Sequence, residues 1–203
     1  MFSLREPSAE VIAALLAAQQ REAFSYAAVG ATREGIAPAG FNEDHNRICL
    51  GKGEATFIAA CAELRRWEMF QLGWVKLFHP DAPIAAGTVV AMAAHCYGGW
   101  WVNACRIVYV IDENGPVRKF GFAYGTLPDH VECGEERFTI EWHQSDDAVW
   151  YDLRAFSHPR HPLVRLAYPL ARRLLRKFVR DSLAAMVRAT AEAGNTILMR
   201  GRE

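Results

Sequence analysis

Two adjacent glutamates, Glu135 and Glu136, are the residues best suited to acid–base chemistry, and they lie in the strand-like run GEERFTIEWHQ. Side chains alternate between the two faces of a strand, so Glu136 shares a face with the apolar residues Phe138, Ile140 and Trp142. A carboxylate that faces a core either meets a cation or has a raised pKa. Glu136 is therefore a candidate general acid or base. The alternative, which we favour, is a structural ion pair.

Arg106 and Arg154 are the candidate partners of Glu136, because both lie in strand-like runs that the expected sheet brings close to it. Arg137 and Asp152 belong to the same group of charges. In a structural ion pair, removal of Glu136 would leave a buried arginine unpaired and destabilise the fold by roughly 3 kcal/mol or more. In an enzyme, the same change would remove turnover and leave stability nearly intact. The candidate catalytic residues are thus Glu136, Arg106 and Arg154.

Histidines offer a weaker signal for metal chemistry. His158 and His161 flank Arg160 in the run SHPRHP, and a metal site would need further ligands at fixed spacing, which the sequence lacks. Four other histidines stand alone: His79, His95, His130 and His143. Sequence motifs of serine hydrolases, zinc peptidases and dinucleotide-binding proteins are absent. We therefore predict neither a metal nor a cofactor.

A basic stripe follows on the last helix, where the segment from Arg160 to Arg180 contains seven arginines or lysines and no carboxylate. The stripe consists of Arg172, Arg173, Arg176, Lys177 and Arg180. Such a stripe can bind anionic lipid or an acidic partner, although it is more often a solvated surface. The formal net charge of zero argues against a nucleic-acid-binding protein.

Several elements must position these residues, and the first half of the chain supplies two helices and one strand. Ser8 is a plausible N-cap for a helix that ends near Ala23. Residues Asn46 to Leu50 predict a short strand. A helix from about Glu54 to Trp67 follows, in which apolar residues recur at three- and four-residue spacing and predict one buried face: Phe57, Ile58, Cys61, Leu64 and Trp67.

Six strand-like runs come next and end at one long helix. The runs are Met69 to Phe78, Gly87 to Tyr97, Trp101 to Asp112, FGFAYGTLP, ERFTIEWHQ and VWYDLRAFS. Asn114-Gly115 predicts a hairpin turn. Gly121, Ala123 and Gly125 form a strip of small residues on one strand face, which we expect a helix to cover, with a ligand as the alternative.

The last helix is predicted to begin at Pro162, and Pro169 predicts a kink or a break within it. Apolar and small residues at helical spacing form its expected core-facing stripe. They are Leu163, Leu166, Leu170, Leu174, Phe178, Asp181 or Ser182, Met186 and Thr190.

Five runs of sequence resemble the successive motifs of an uncharacterised domain-of-unknown-function family related to the START and polyketide-cyclase-like helix-grip superfamily. The runs are GFNEDHNRICLGKGEATF, LRRWEMFQLGWVKLF, ACRIVYVIDENG, FGFAYGTLPDHVECGEERF and VWYDLRAFSHP. The resemblance covers about residues 24–190. It implies an α+β helix-grip-like fold, in which a curved antiparallel sheet of about seven strands packs around the C-terminal helix and leaves an internal cavity. It implies no catalytic residue.

Composition and length agree with one globular domain over residues 1–203, in which residues 1–23 form a helical extension and residues 24–192 the core. The five cysteines form no CxxC pair, which is typical of reduced thiols and predicts a cytoplasmic protein. The first residues show no basic start followed by an apolar run, so we expect no signal peptide there. The apolar run from Val11 to Ala18 is too short to cross a bilayer.

The leading functional hypothesis is binding of a small hydrophobic or amphipathic molecule in the cavity, because apolar cavities with few polar groups are typical ligand sites. The expected ligand-binding residues are Tyr109, Phe122, Tyr124, Phe138 and Trp142. One alternative is a cyclase- or hydrolase-type enzyme that uses a cavity carboxylate. The other is an interaction module that works through the basic C-terminal helix. The sequence does not decide whether the protein is an enzyme.

Overall fold

The structure, a computed structural model, describes the backbone of residues 1–200 and the side chains of residues 1–194. Eight strands lie in this part of the chain: β1 (Phe2–Ser3), β2 (Asn42–Lys52), β3 (Val75–Phe78), β4 (Val89–Cys96), β5 (Gly99–Glu113), β6 (Val117–Thr126), β7 (Glu132–His143) and β8 (Ala148–Pro159). The helices are α1 (Ala9–Gln19), α2 (Gly53–Arg65), α3 (Pro162–Leu166) and α4 (Tyr168–Arg200). Two short 3-10 turns cover Ala31–Arg33 and Glu68–Phe70.

All eight strands form one antiparallel sheet in the order β2-β8-β7-β6-β5-β4-β3, with β1 added beside β5. Tight hairpins join most pairs of strands that are consecutive in the sequence. Asn114-Gly115 lies between β5 and β6, as predicted, because these two residues suit a tight hairpin turn. The return of β8 to pair with β2 brings the two halves of the chain together.

One face of this sheet, here called the inner face, packs against helices α2 and α4. Phe122, Phe138 and Tyr151 of the sheet are fully buried there together with Leu64 of α2 and Met186 of α4. A sheet buries one apolar face against helices because neither element can remove its apolar surface from water alone. The architecture is α+β, with a curved antiparallel sheet around a long C-terminal helix. The predicted fold class is confirmed.

The opposite, outer face of the sheet is covered by the N-terminal part of the chain. Ile12 and Leu15 of α1 pack on Ala91 and Val102. Ser8 caps this helix by accepting a hydrogen bond from the backbone N–H of Val11 at 3.4 Å, as predicted.

Residues 24–41, here called the strap, follow α1 and cross the outer face of the sheet. Their aromatic rings pack on Phe156. At Gly125, an added Cβ would lie 2.1 Å from the hydroxyl of Tyr26 and 2.9 Å from the ring of Phe24. At its Gly125 end the strip of small residues is therefore covered by the strap and not by the expected helix, whereas a Cβ at Gly121 would meet the backbone of Phe138 and Thr139 in β7.

Several predicted details of the elements differ from the structure, among them the bounds of β2, which was predicted as Asn46 to Leu50 and covers Asn42–Lys52. Helix α1 ends at Gln19, before the predicted Ala23. The segment from Met69 begins as a 3-10 turn and enters strand β3 only at Val75. In α2, the buried face includes Phe57 but not Ile58, which is 53% exposed.

The predicted break before the last helix is present. His161 caps the five-residue helix α3, which ends at Leu166, and Pro169 lies in the first turn of α4, where its missing N–H costs nothing. The predicted core stripe holds only beyond this break, where Ser182, Met186 and Thr190 are buried. The leucines before and at the break are exposed, because they lie beyond the helix segment that packs on the sheet: Leu163 by 59%, Leu166 by 85% and Leu170 by 47%.

Candidate functional site

A cavity of about 500 Å³ lies between the inner face of the sheet and helices α3 and α4. Most of its wall is apolar and includes Phe70, Trp74, Met92, Leu153, Leu174 and Phe178. Its most exposed lining residues are Tyr97, in the β4–β5 hairpin, and Leu163 of α3. The cavity therefore opens between this hairpin and α3. Its volume is in the range of sites that hold small organic molecules.

Four residues form one row across the cavity wall, on four neighbouring strands. Asp44 of β2 is opposite Ala155 of β8, Ala155 is opposite Glu136 of β7, and Glu136 is opposite Tyr124 of β6. All four line the cavity. We call this set the polar row. It brings two carboxyls and a phenol together in a wall that is otherwise mainly apolar.

Glu136 accepts a hydrogen bond from the hydroxyl of Tyr124 at 2.7 Å. Burial raises the pKa of Glu136 to about 7, and the charges of Asp44 and Glu132 act in the same direction, while the bond from Tyr124 opposes them. Burial also raises the pKa of Tyr124 well above its ordinary value. Near neutral pH, Glu136 is thus divided between an acid and a carboxylate.

Two further acidic side chains share the cavity wall. Asp44 accepts two hydrogen bonds from the guanidinium of Arg172, at 2.6 and 2.7 Å, and Arg172 reaches it from α4. Glu132 is 7% exposed. Burial raises its pKa above the ordinary value, although a hydrogen bond with Ser157 acts in the opposite direction. The lining also includes His130, whose pKa burial lowers to about 4, so its imidazole is neutral at pH 7.

The predicted ion pair of Glu136 with an arginine is wrong, because both arginines lie on the outer face of the sheet. Arg106 is opposite Gly125 and donates hydrogen bonds to three backbone carbonyls at the end of α1, those of residues 19, 20 and 22. Arg154 donates to the carbonyl of Gly35 at 2.7 Å and to Glu43. Neither arginine lines the cavity, so the geometry leaves Glu136 as the cavity-facing member of the predicted catalytic set.

Glu135, the neighbour of Glu136 in the sequence, accepts a dense set of hydrogen bonds. It is 2% exposed and accepts hydrogen bonds from the hydroxyl of Tyr26 at 2.7 Å, from the N–H of Gly30 at 2.7 Å and from both the N–H and the hydroxyl of Thr32. These donors all belong to the strap. Glu135 therefore anchors the strap to the outer face.

A second outer-face network joins His45, Asp152 and Arg137. Arg154 donates to Nδ1 of His45, so Nε2 carries the proton that His45 donates to Asp152 at 2.6 Å. Arg137 donates to the other oxygen of Asp152 at 2.9 Å. Burial opposes ionisation of Asp152, but these two hydrogen bonds outweigh it and lower the pKa. Sequence reasoning missed His45. The available signal was the alternation of side chains along β2, which places His45 and its neighbour Asp44 on opposite faces of the sheet.

Of the five aromatic residues predicted to bind ligand, Tyr124 lines the cavity. Phe122 and Phe138 are fully buried in the core beside it, and Trp142 contacts Phe57 of α2. Tyr109 is on the outer face, where its hydroxyl is 2.7 Å from that of Thr32. A β-bulge between Ile107 and Tyr109 is the reason, because it shifts the alternation of β5 by one residue.

The basic stripe is largely engaged within the molecule. Arg172 binds Asp44, while Lys177 and Arg180 both bind Asp181. Arg173 and Arg176 are exposed. The structure gives no support to a specific anionic partner at this stripe. Among the residues described, no group of three or more histidine, cysteine or acidic side chains could hold a metal ion.

The fold and site together define a helix-grip protein, in which a curved sheet and a long C-terminal helix enclose an apolar cavity with a few polar groups. The chain belongs to the family "Domain of unknown function (DUF1990)", whose model matches residues 25–185. The predicted family relationship is confirmed. Within the described part of the chain, none of the helices has the length and apolar character needed to cross a membrane.

Relatives in distant organisms match nearly the whole chain. A UPF0548 protein of Dictyostelium discoideum is 36% identical over 213 residues, which cover 96% of this chain and 98% of that protein. A UPF0548 protein of Deinococcus radiodurans is 37% identical over 201 residues, covering 93% of this chain and 98% of that protein. The hypothetical protein jhp0584 of Helicobacter pylori has a similar fold, with a TM-score of 0.50, 12% identity and coverage of 73% and 88%.

Proposed function

We propose that this protein binds a small, mainly apolar organic molecule in the cavity between the sheet and helix α4. The cavity of about 500 Å³ carries this proposal, because a mainly apolar space of that size is typical of ligand sites. Its wall offers extensive apolar contact from Phe70, Leu153 and Phe178. The polar row offers a fixed point at which one polar group of the ligand can be oriented.

The experiment is native mass spectrometry of the purified protein, followed by thermal denaturation with a panel of apolar probes. A ligand that binds the folded state raises the melting temperature by mass action. We expect either a co-purified organic molecule or a saturable rise of the melting temperature with a probe that binds in one-to-one stoichiometry. A protein that is free of bound molecules and gives no shift with any probe would contradict the proposal.

A matched pair of variants connects the binding to the cavity. Ala171 lines the cavity on α4, whereas Ala191 is exposed further along the same helix. Ala171→Phe should occupy part of the cavity and weaken probe binding, and Ala191→Phe should leave it unchanged. Equal effects of the two substitutions would place the binding elsewhere.

A second function, acid–base catalysis on the bound molecule, is favoured by one observation. Glu136 faces the cavity with a pKa raised to about 7 by burial, and a general acid or base works best when its pKa is near the working pH. Tyr124 donates to it and orients it. The reaction class that this geometry supports is proton transfer at a carbon atom of the ligand.

Solvent exchange tests this second function without a known product. The ligand recovered by mass spectrometry is incubated with the protein in deuterium oxide, and its mass is measured over time. Wild type should introduce deuterium at a carbon position, and Glu136→Gln should bind the ligand but introduce none. Binding without exchange by the wild-type protein would leave the carrier function and reject the enzyme.

A further inference from the structure

The charged groups that line the cavity are all acidic. Asp44, Glu132 and Glu136 line it, and among the described residues of the lining there is no arginine or lysine. His130 is neutral at pH 7 because burial lowers its pKa. Glu135 also contributes to the wall, but its carboxylate accepts its hydrogen bonds from the strap on the outer face. The charged side chains that an occupant of this cavity meets are therefore carboxyl groups, with no arginine or lysine among them.

Compensation of these carboxyls within the protein is incomplete. Arg172 of α4 forms an ion pair with Asp44 from outside the cavity lining, and its charge also favours ionisation of Glu132 and lowers the pKa of that carboxyl. One arginine thus serves two of the three carboxyls, and none pairs with Glu136. The groups that act on Glu136 are Tyr124, whose phenol is neutral, and the acidic Asp44 and Glu132. Because both neighbouring charges are negative, ionisation of Glu136 is opposed until a cation approaches it.

The polar row leaves a space for such a cation. Asp44 and Glu136 are two strands apart, so strand spacing places their Cα atoms about 10 Å from each other. Only the methyl group of Ala155 projects from the strand between them. An ammonium group above Ala155 can donate hydrogen bonds to both carboxylates while its apolar substituent extends along the cavity.

We infer that the ligand of this cavity is an amphipathic organic cation, an amine whose ammonium group is held above Ala155 between Asp44 and Glu136. The inference rests on the proposed function, because it concerns the polar end of the same ligand site. An anionic ligand, such as a fatty acid, would have to bring its carboxylate to a wall that already holds three acidic side chains. The surrounding apolar residues would accept either chain equally.

Three probes with ten carbon atoms each separate the contribution of the head group: decylammonium, decanol and decanoate. Each is titrated calorimetrically at pH 7, below its micelle concentration or, for decanol, its solubility limit. We expect decylammonium to bind at least about tenfold more tightly than decanol, since a charge-assisted contact contributes roughly 1.4 kcal/mol or more. Decanoate should bind more weakly than decanol. Decylammonium should also release protons on binding, because its charge drives the ionisation of Glu136.

Two variants test the position of the ammonium. Glu136→Gln removes the charge with little change of shape, and Ala155→Leu fills the space between the two carboxyls. Both should bring the affinity for decylammonium down to that for decanol. Glu113→Gln is the control, because Glu113 is an exposed carboxylate at the end of β5, and it should keep the preference.

The outcomes distinguish this inference from the proposed function. Equal affinity for the three probes, or a preference for decanoate, would overturn the amine assignment while apolar binding in the cavity stands. Binding of none of the probes would overturn both. A preference for decylammonium that survives in both Glu136→Gln and Ala155→Leu would place the cation at another acidic group and overturn the assignment to the polar row.

Discussion

Tyr124 and Glu136 stand opposite each other on adjacent strands, and the phenol of Tyr124 donates a hydrogen bond to the carboxyl of Glu136 at 2.7 Å. The partner of this carboxyl is therefore a neutral group. A neutral donor stabilises the carboxylate less than a cation does, so burial remains the dominant influence and raises the pKa of Glu136 to about 7. The arrangement leads to a prediction about the stability of the fold.

The first prediction concerns the pH dependence of stability. The unfolded chain ionises Glu136 near the ordinary pKa of 4.5, whereas the folded protein holds the proton up to about pH 7. Between these values the folded state binds more protons, so the free energy of unfolding contributed by Glu136 falls as pH rises. The loss approaches about 3 kcal/mol at most, from 1.36 kcal/mol per pKa unit.

Glu136→Gln should remove this dependence. Its amide oxygen can still accept the bond from Tyr124, so the variant should match wild type near pH 4.5 and be more stable than wild type at pH 8. Urea denaturation at a series of pH values measures the difference, with Glu113→Gln as the exposed control. A variant that is much less stable than wild type at pH 8 would mean that Glu136 has a cationic partner.

The second prediction concerns Glu135 and the strap. Glu135→Gln replaces an acceptor-only carboxylate by an amide, whose NH₂ group cannot accept the bonds from Tyr26, Gly30 or Thr32. Bonds to a charged acceptor contribute about 1.5–3 kcal/mol each, so the loss should be about 3 kcal/mol or more. Glu34→Gln, at an exposed position of the strap, should cost less than about 0.5 kcal/mol.

Amide hydrogen exchange distinguishes this local role from a general loss of stability. In Glu135→Gln, exchange should rise first in residues 24–41, while the inner-face strands remain protected. Uniform acceleration throughout the sheet would contradict the anchoring role that the structure assigns to Glu135.

Adjacent positions on β7 show how far sequence reasoning reached. Alternation correctly placed Glu136 on the face of Phe138 and Ile140, and by the same rule Glu135 belonged to the other face. It could not identify partners, because Glu135 is paired with a strap more than one hundred residues earlier in the chain. Irregular segments such as the strap carry no periodicity from which their position could be predicted.

The same limit explains the error at Tyr109. A period of two continues only while a strand is regular, and the bulge after Ile107 has no strong sequence signal. The order of elements, the Asn114-Gly115 hairpin and the break near Pro169 were predictable, because each depends on local backbone chemistry. Cavity dimensions depend on how far the sheet curves around α4, which no local pattern encodes.

The third prediction concerns the close approach of the strap to β6. A Cβ at Gly125 would lie 2.1 Å from the hydroxyl of Tyr26, so Gly125→Ala should displace that ring and weaken its bond to Glu135. We expect a loss of about 1–3 kcal/mol, the usual cost of inserting a carbon into a packed site. Gly115→Ala is the control, since the nearest atom to an added Cβ there is the backbone oxygen of Val117 at 4.0 Å, an ordinary van der Waals contact. Thermal denaturation of both variants provides the comparison, and equal stability would contradict the packing of the strap.

The last prediction concerns the two parts of the C-terminal stripe, which the helical pattern treats as one apolar surface. Met186 is fully buried against the sheet and α2, whereas Leu166 is 85% exposed at the end of α3. Met186→Ala should therefore lower the free energy of unfolding by about 2–5 kcal/mol, through lost apolar burial and the remaining void. Leu166→Ala should change it by no more than about 0.5 kcal/mol, since its side chain stays in water in either state.

Chemical denaturation measures both values. Arg188→Ala is the control for helix propensity, because Arg188 is exposed and lies within one turn of Met186 on the same helix. A large loss for Leu166→Ala would mean that α3 packs on the sheet in solution and closes the mouth of the cavity. A small loss for Met186→Ala would contradict the packing of α4 in the core.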